Sequence, residues 1–404
     1  MVKAEKLFSG ENKDSRLKNA PGKRRKRKMA TVLFLIISIL FIGLLIVLIN
    51  SPGKLPPLKD KQGNIIQGSI SEKVWLEAGG MKQGMFIRGE NPENPVILYL
   101  HGGPGVPMLQ FILYLEKIGE IDINERLEKY FTVCYWEQRG AGMTYSKSTD
   151  PSTMTLEQMV EDTYEVTEYL KSRFGQDKIY LMGQSWGSYL GVNIIQKYPE
   201  NYLAYIGVGQ SVNFVESERL SYHYMLNHAK DINDKDAFEK LEKFDPYAKG
   251  FPMLQKEGHE LDYLMVRTKL VGKYGIGHMR QFPRGMTYNS GILRCLFGFK
   301  GYTLSEKINW IPGTDFSMIQ LFPPMIDIDL FVSSTKFEIP FYIVQGAYDY
   351  QTSKVLAQKY LNVIEAPKKE FFMFENSAHS PNLEEPERFV EVFCKIASEN
   401  PPEE

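Results

Sequence analysis

The feature that most constrains the fold is a serine placed between two glycines, in the sequence G-Q-S-W-G at residues 183–187. Residues 179–182 are apolar and typical of a buried strand, whereas residues 188–198 have the pattern of a helix. A turn this tight between a strand and a helix leaves no room for side chains two residues either side of Ser185. The pattern therefore predicts a strained turn that lifts the Ser185 hydroxyl clear of a sheet, as a nucleophile at the positive end of a helix.

The rest of the chain alternates between two kinds of pattern. Apolar runs typical of strands lie at residues 95–100, 131–136, 178–183, 203–208, 341–345 and 371–374. Helical patterns lie at about residues 155–175, 352–363 and 384–398, and Thr155 and Gln158 have the spacing of a capping box. This alternation predicts an α/β fold with a mostly parallel, doubly wound sheet. It breaks from about residue 213 to 330, which we interpret as an inserted, mainly helical cap.

A glycine-rich loop, H-G-G-P-G at residues 101–105, directly follows the first apolar run. Such a loop can turn several backbone N–H groups toward one point, which suits the stabilisation of an oxyanion. The expected donors are the amide of Trp186, which follows the serine, and that of Gly103, with Gly102 as the alternative. His101 ends the strand before the glycines, so we expect it to have a structural role.

A serine hydroxyl is a poor nucleophile without a histidine base and an acid that orients the histidine. After a strained turn of this kind the order along the chain is serine, acid, histidine. Asp349 follows the fifth apolar run and His379 follows the sixth, so we predict a triad of Ser185, Asp349 and His379. Asp327 and Asp329 also follow the serine, but they precede the fifth run. The other candidate bases lie in the cap with no strand before them: His223, His228, His259 and His278.

The N-terminal region predicts a membrane anchor. Residues 30–49 carry no charge and would span about 30 Å as a helix, the thickness of the hydrocarbon core of a bilayer. Residues 1–28 contain 11 Lys or Arg, whereas the first 20 residues after the span contain three, which predicts a cytoplasmic N-terminus and an external catalytic domain. No A-x-A cleavage pattern follows the span, so we expect an uncleaved signal anchor in the cell membrane. The lack of any N-x-S/T sequon favours a bacterial surface.

These patterns divide the chain into six parts. They are a basic cytoplasmic tail (1–28), a transmembrane anchor (29–50), a tether (51–68), the first part of the catalytic core (69–212), the cap (213–330) and the second part of the core (331–404). Lys+Arg (48) and Asp+Glu (49) nearly cancel, so no nucleic-acid partner is expected. The three cysteines are far apart, and no motif predicts a metal, a cofactor or an oligomeric state.

Four motifs together resemble the proline iminopeptidase branch of the α/β-hydrolases over about residues 70–398. They are H-G-G-P-G, W-E-Q-R-G-A-G at residues 136–142, G-Q-S-W-G, and the later aspartate and histidine. The resemblance implies an α/β-hydrolase fold and aminopeptidase action on short peptides, with cap carboxylates that bind the free amine. Glu216 and Glu218 are the candidates for those carboxylates. Glu137 and Gln184 depart from the family pattern, in which D-Q-R-G and G-G-S-W-G are usual.

Two other functions remain open at the level of sequence. The same triad would serve an esterase or lipase, and the aromatic residues of the cap could hold an acyl chain. A non-catalytic surface protein could also keep the fold. Epoxide hydrolases and haloalkane dehalogenases use an aspartate as nucleophile, so Ser185 argues against both.

Overall fold

The structure is a computed structural model that describes residues 21–122, 125–248, 260–283 and 285–402. Its contacts separate a first unit that ends at Ile49 from a second unit that begins at Asn50. The first unit contains helix α1 (Pro21–Ile49), and an 18-residue window within Arg25–Ile49 has a mean hydropathy of 3.5. The predicted long apolar helix is therefore confirmed. It begins within the predicted basic tail, and residues 1–20 of that tail lie outside the described part of the chain.

The second unit is built on one eight-stranded sheet. Its strands are β1 (Ile70–Ala78), β2 (Met81–Gly89), β3 (Val96–Leu100), β4 (Thr132–Glu137), β5 (Ile179–Gln184), β6 (Tyr202–Val208), β7 (Phe341–Gly346) and β8 (Lys369–Phe374). The spatial order is β1-β2-β4-β3-β5-β6-β7-β8, and the pairs from β4 to β8 are all parallel. Only β1 with β2 and β2 with β4 pair antiparallel. The predicted mostly parallel sheet is confirmed.

The sequence analysis missed the hairpin of β1 and β2. Strand β2 contains Gln83 and Arg88, which are 0% and 3% exposed, so it shows no continuous apolar run. Gln83 is accommodated because its amide nitrogen donates to Asp162 Oδ2 (2.8 Å) and its oxygen accepts from Trp136 Nε1 (3.1 Å). A search for apolar runs does not detect a strand whose buried side chains include polar ones.

The helices of the second unit pack on both faces of the sheet and form the cap. They are α2 (Leu109–Ile118), α3 (Leu156–Phe174), α4 (Trp186–Lys197), α5 (Phe214–Asp231), α6 (Lys235–Leu241), α7 (Glu260–Lys273), α8 (Tyr288–Gly298), α9 (Leu304–Met325), α10 (Leu330–Ser333), α11 (Lys354–Val363), α12 (Pro381–Glu384) and α13 (Pro386–Glu399). The helix expected at about residues 384–398 is α13, which begins at Pro386 because a proline has no N–H to continue α12 and is favoured at the start of a helix.

The two faces of the sheet carry separate apolar cores, and β3 illustrates the alternation. Leu98 and its neighbours two residues away pack in a core with α3, α4 and α11, whereas Ile97 and Tyr99 pack in a core with α2 and α13. All five residues of this strand are buried, as is expected of a central parallel strand. The carboxyl ends of β3, β5, β7 and β8 therefore meet at one edge between two helical layers, which is where a ligand site is expected.

Thr155 caps α3, but the capping box is incomplete. The Thr155 hydroxyl accepts the N–H of Gln158 (3.2 Å), as the sequence predicted. The Gln158 side chain, however, donates to Asp162 Oδ1 (2.8 Å) one turn further along the helix. Asp162 is fully buried and attracts several donors, which explains why the glutamine turns away from the helix start.

The cap has a small core of its own. Tyr222 and Met225 of α5 pack with Leu241 of α6 and with Tyr263 and Leu270 of α7. The later part of the predicted cap behaves differently, because α9 joins the two cores of the sheet through its own residues. Residues 249–259 and 284 of the insertion lie outside the described part.

The segment predicted to be an extended tether lies against the second unit. Leu58 is 1% exposed, and Lys54 N donates to Lys300 O (3.0 Å). The Lys307 ammonium donates to the backbone oxygen of Asn50 (2.7 Å), and burial lowers the pKa of Lys307 to about 8. The proline-rich composition predicted an extended path, but it contained no signal for these long-range contacts.

Candidate active site

Ser185 lies on a strained turn between β5 and α4. Its φ is +56°, a left-handed value that only one other non-glycine residue adopts in the described part of the chain. A Cβ at Gly183 would lie 2.3 Å from Gly187 O, and a Cβ at Gly187 would lie 2.1 Å from Leu100 O. The two glycines are thus required by close backbone packing, which is the reason that the sequence analysis gave for them.

The loop after β3 passes close to this serine. A Cβ on Gly102 would lie 3.0 Å from Ser185 Cβ, so the loop backbone runs directly beside the predicted nucleophile. Gly103 has a φ of +113°, which a residue with a side chain rarely adopts. Trp186 is the first residue of α4, where a backbone N–H has no acceptor within its own helix. The Gly103 and Trp186 amides stay the predicted oxyanion donors, with Gly102 as the alternative.

Asp349 is fully buried in the loop after β7 and accepts hydrogen bonds from several groups. The backbone N–H groups of Gln351 and Thr352 donate to Oδ1 at 2.9 and 3.0 Å. The Thr352 hydroxyl and the Gln345 amide donate to Oδ2 at 2.9 and 2.8 Å. These four hydrogen bonds fix the orientation of the carboxylate, with Oδ2 directed at a histidine.

His379 is the partner that Asp349 faces. Its Nδ1 lies 2.8 Å from Asp349 Oδ2, and its ring is 5% exposed. The ring touches the site of Gly209, where a Cβ would lie 2.8 Å from His379 Cε1. Gly209 directly follows Val208, whose backbone oxygen accepts the N–H of Ser185 (2.9 Å).

Ser185 and His379 are therefore held in one neighbourhood. The Gln184 amide also donates to the backbone oxygen of His379 (3.3 Å) and links the two loops. Among the described residues, no hydrogen bond joins the Ser185 hydroxyl to the His379 ring. Such bonds are often long in a substrate-free site and shorten when substrate binds.

The two departures from the family pattern both have structural explanations. The Glu137 carboxylate accepts from Met143 N (2.5 Å) and from the Tyr302 hydroxyl, and burial raises its pKa to about 8. Gln184 accepts from the Tyr99 hydroxyl while it donates to the loop of His379. Glu137 thus stabilises the loop after β4 through hydrogen bonds. Gln184 connects β3 to the loop that carries His379.

His101 has a structural role, as expected. Its Nε2 accepts the N–H of Gln138 (3.2 Å), and its Nδ1 lies 2.9 Å from Gly102 O. The Gln138 side chain donates to His101 O (3.0 Å) and accepts from Trp186 Nε1 (3.2 Å). Burial lowers the pKa of His101 to about 4, so the ring is neutral at pH 7 and supports the glycine loop.

The competing histidines differ in position. His278 lies beside the site, with its ring centroid 6.2 Å from that of His379, and burial lowers its pKa to about 3. His223 and His228 lie on α5, where they contact Tyr247 and Tyr274. His259 lies outside the described residues.

Of the two cap glutamates, Glu218 is fully engaged. It is 2% exposed and forms a two-point ion pair with Arg267, whose Nε lies 2.5 Å from Oε2. Glu216 lies two residues earlier on α5 and is partly exposed, with Arg219 at 3.4 Å. Neither role was tested by these contacts, and both stay predictions.

Residues 276–280 of the cap form hydrogen bonds with the loops that carry Asp349 and His379. Ile276 O accepts the N–H of Tyr350 (3.2 Å), and Gly277 O accepts that of His379 (3.1 Å). Glu384 accepts from Arg280 N (2.6 Å) and from Ala378 N (2.8 Å), and burial raises its pKa to about 7. No motif marks Glu384, because its role depends on a contact more than a hundred residues away.

An apolar pocket lies next to this segment. Its wall includes Val106 from the glycine-rich loop, Ser380 directly after the histidine, and Met279, Phe282 and Ile292 from the cap. The pocket is thus bounded by the same loops that carry the candidate oxyanion donor and base. Pockets of this kind bind the apolar part of a substrate.

The fold and the site geometry define a hydrolase of the α/β class. A family model described as the alpha/beta hydrolase fold matches residues 95–386, and the chain belongs to that family. It is 30% identical over 329 residues to the probable aminopeptidase YbaC of Bacillus subtilis, covering 81% of this chain and 97% of that protein. It is 22% identical to the proline iminopeptidase of Lactobacillus acidophilus, covering 78% and 94%.

Solved structures agree with this fold. The crystal structure of proline iminopeptidase from Mycobacterium smegmatis aligns with a TM-score of 0.53 at 16% identity, covering 81% of this chain and 98% of that one. An identity this low supports the fold alone. The predicted α/β-hydrolase fold and the resemblance to the proline iminopeptidase branch are confirmed.

Proposed function

We propose that the protein is a serine hydrolase that acts through an acyl-enzyme, with Ser185 as nucleophile, His379 as base and Asp349 as orienting acid. The observation that carries this proposal is the buried contact of 2.8 Å between His379 Nδ1 and Asp349 Oδ2, in a loop bonded to the serine turn through Gln184. The contact leaves Nε2 of His379 for the serine, because Nδ1 is directed at the carboxylate.

In the proposed reaction Ser185 attacks a carbonyl carbon while His379 takes the hydroxyl proton. The amides of Trp186 and Gly103 stabilise the oxyanion of the tetrahedral intermediate. His379 then returns the proton to the leaving group, and a water molecule releases the acyl group by the same steps in reverse.

The substrate that we propose first is a short peptide with a free N-terminus. The support comes from the named relatives, one a probable aminopeptidase and one a proline iminopeptidase, both covered over more than nine-tenths of their length. Of the two predicted amine-binding carboxylates, Glu216 is the better candidate, because Glu218 is already neutralised by Arg267.

An esterase is the second candidate, supported by the apolar pocket beside His379. Met279, Phe282 and Ile292 give it a wall without carboxylates, which suits an acyl chain better than an ammonium group. The sequence analysis expected aromatic residues of the cap to hold an acyl chain, and one of them, Phe282, lines this pocket.

A direct comparison of substrates tests the proposal. The full-length protein in detergent is assayed with proline arylamide and with nitrophenyl esters of increasing chain length, with Ser185→Ala as the control. We expect arylamide turnover that the control lacks. Ester turnover without arylamide turnover would favour the esterase proposal over the peptidase proposal. If neither substrate is turned over in a way that depends on Ser185, both proposals are rejected.

We also propose that α1 anchors the enzyme in the cell membrane, with the catalytic unit outside. The support is the length and hydropathy of Arg25–Ile49 together with the 11 Lys or Arg in residues 1–28. A bacterial surface is the proposed location.

A further inference from the structure

A second cavity lies on the second unit, away from the residues of the candidate active site. Its volume is about 450 Å³, and it is lined by the start of the unit, by β2, by α2 and by the end of α8. Nothing in the proposed reaction uses this cavity.

Four polar side chains that line the cavity have buried atoms without a hydrogen-bond partner in the described part of the chain. The unpartnered donors are Arg88 Nε and Arg126 Nε, and the unpartnered acceptors are Gln110 Oε1 and Glu116 Oε1. Arg88, Gln110 and Arg126 are 3%, 1% and 6% exposed. Buried polar atoms are normally hydrogen-bonded, so these side chains are suited to bind a polar ligand.

Each of the two arginines forms an ion pair with a glutamate. Arg88 Nη1 lies 3.5 Å from Glu128, and Arg126 Nη2 lies 2.8 Å from Glu90. Neither glutamate lines the cavity, and Arg88 Nε and Arg126 Nε have no hydrogen-bond partner among the described residues.

The charge around the cavity is positive, even when Glu128 and Glu90 are counted against Arg88 and Arg126. In addition to the two arginines, the rim carries the exposed residues Lys59, Lys117 and Lys300, against the single carboxylate of Glu116. Burial raises the pKa of Glu116 above its ordinary value, which favours its neutral form. This balance favours a ligand with net negative charge over a zwitterionic one.

The pattern of donors and acceptors narrows the ligand further. The arginine atoms require acceptor oxygens, and Gln110 and Glu116 offer acceptors to a donor. A phosphate that carries hydroxyl groups supplies both. Cys295 and Phe299, 2% and 4% exposed, add an apolar wall for carbon atoms.

We propose that this cavity binds a hydroxyl-bearing phosphate ester, the chemistry shared by a phosphatidylglycerol head group and by soluble glycerol phosphate. The lipid source has support from the chain itself, since Asn50 lines the cavity and directly follows the apolar helix α1. The inference does not rest on the proposed reaction.

The test measures the Tm of the full-length protein in two arms. In the soluble arm, the protein in lipid-free detergent receives glycerol phosphate or inorganic phosphate. In the lipid arm, nanodiscs of phosphatidylcholine are compared with nanodiscs that also contain phosphatidylglycerol. We expect the ester to raise the Tm by about 2 °C or more in at least one arm, and the arm that responds identifies the source.

Variants show whether the response belongs to this cavity. Arg88→Gln should abolish the rise. If that buried change prevents folding, the exposed double variant Lys117→Gln/Lys300→Gln should reduce it. The matched control is Lys147→Gln/Lys359→Gln, which removes the same charge elsewhere and should keep the full rise. No rise in either arm, or an equal rise in the rim variant and its control, would overturn the proposal.

Discussion

At the scale of single residues, Asp349 is held by hydrogen bonds to both of its carboxylate oxygens. The backbone N–H groups of Gln351 and Thr352 donate to one oxygen, and the Thr352 hydroxyl donates to the oxygen that faces His379 Nδ1. In the proposed reaction the carboxylate orients the histidine and stabilises the imidazolium that forms when His379 accepts a proton. Under that proposal Asp349 acts through the histidine, as a positioning residue.

Replacing Asp349 by Asn should lower kcat by about 10⁴-fold, because the amide would favour the wrong tautomer of His379. The measurement is kcat on the better of the two substrate classes. Asp329→Asn is the matched control: Asp329 caps α10, a position that Asn fills equally well, so its kcat should change less than about threefold. A loss in the control as large as that in Asp349→Asn would return Asp329 to consideration as the acid.

His101 predicts a pH dependence of stability. Its folded pKa of about 4 lies below the ordinary value of 6.5, so between these values the unfolded chain binds a proton that the folded chain does not. The stabilisation is fully present above pH 6.5 and is lost as the pH falls through 4. The difference corresponds to about 3 kcal/mol.

Denaturant unfolding from pH 7 to 4 checks this expectation. His101→Gln should lose less stability over that interval than the wild type, since glutamine does not titrate. A smaller slope should remain, because His278 also has a lowered pKa. An unchanged slope in the variant would show that His101 is not buried in its neutral form.

The candidate residues that follow motifs could be predicted from the sequence, whereas their supports could not. Ser185 is marked by its glycines, and Asp349 and His379 by order and by the strands before them. Thr352, Gln345 and Glu384 have no such signal, because each acts through hydrogen bonds that exist only once the loops have come together.

At the scale of elements, the serine turn depends on backbone packing against a neighbouring strand. A methyl group at Gly187 would meet Leu100 O at 2.1 Å, an atom that cannot move without displacing β3. Gly187→Ala should lower the free energy of unfolding by about 3 kcal/mol and abolish activity.

Gly272→Ala is the control for this substitution. Gly272 lies in α7 with nothing within 4 Å of its added Cβ, so alanine should stabilise the protein by up to about 1 kcal/mol. Denaturant unfolding of both variants checks the pair. Equal stability of Gly187→Ala and the wild type would contradict the packing described for the turn.

The sheet contains strands that the sequence pattern predicted and strands that it missed. Strand β3 is apolar throughout, and β5 is apolar up to Met182, because helices cover both faces, so their runs were predicted to within a residue or two. The hairpin of β1 and β2 was missed because its buried positions include the polar residues Gln83 and Arg88. Those residues are stable only through partners distant in the sequence.

At the scale of the whole molecule, the apolar helix and the catalytic unit are separate bodies joined at Asn50. A change from uncharged to polar composition led us to place the end of the anchor at residue 50, and the division into anchor, tether and core stays a prediction. The sequence did not predict that the following segment lies against the catalytic unit. Leu58 is buried there only because residues distant in the sequence pack around it.

The proposed orientation predicts that protease added to intact cells removes the catalytic unit. The measurement is an immunoblot with a tag at each end of the chain, compared with lysed cells. Protection of the catalytic unit until lysis would reverse the orientation, because residues 1–28 would then lie outside.

The most direct test of the central claim is labelling with a fluorophosphonate, which reacts with a serine only when a base and an oxyanion site activate it. The full-length protein is labelled beside Ser185→Ala and Ser188→Ala, the latter changing a hydroxyl three residues away on the same turn. We predict strong labelling of the wild type, retained labelling of Ser188→Ala and none of Ser185→Ala. Equal labelling of the wild type and Ser185→Ala would contradict the proposed catalytic serine.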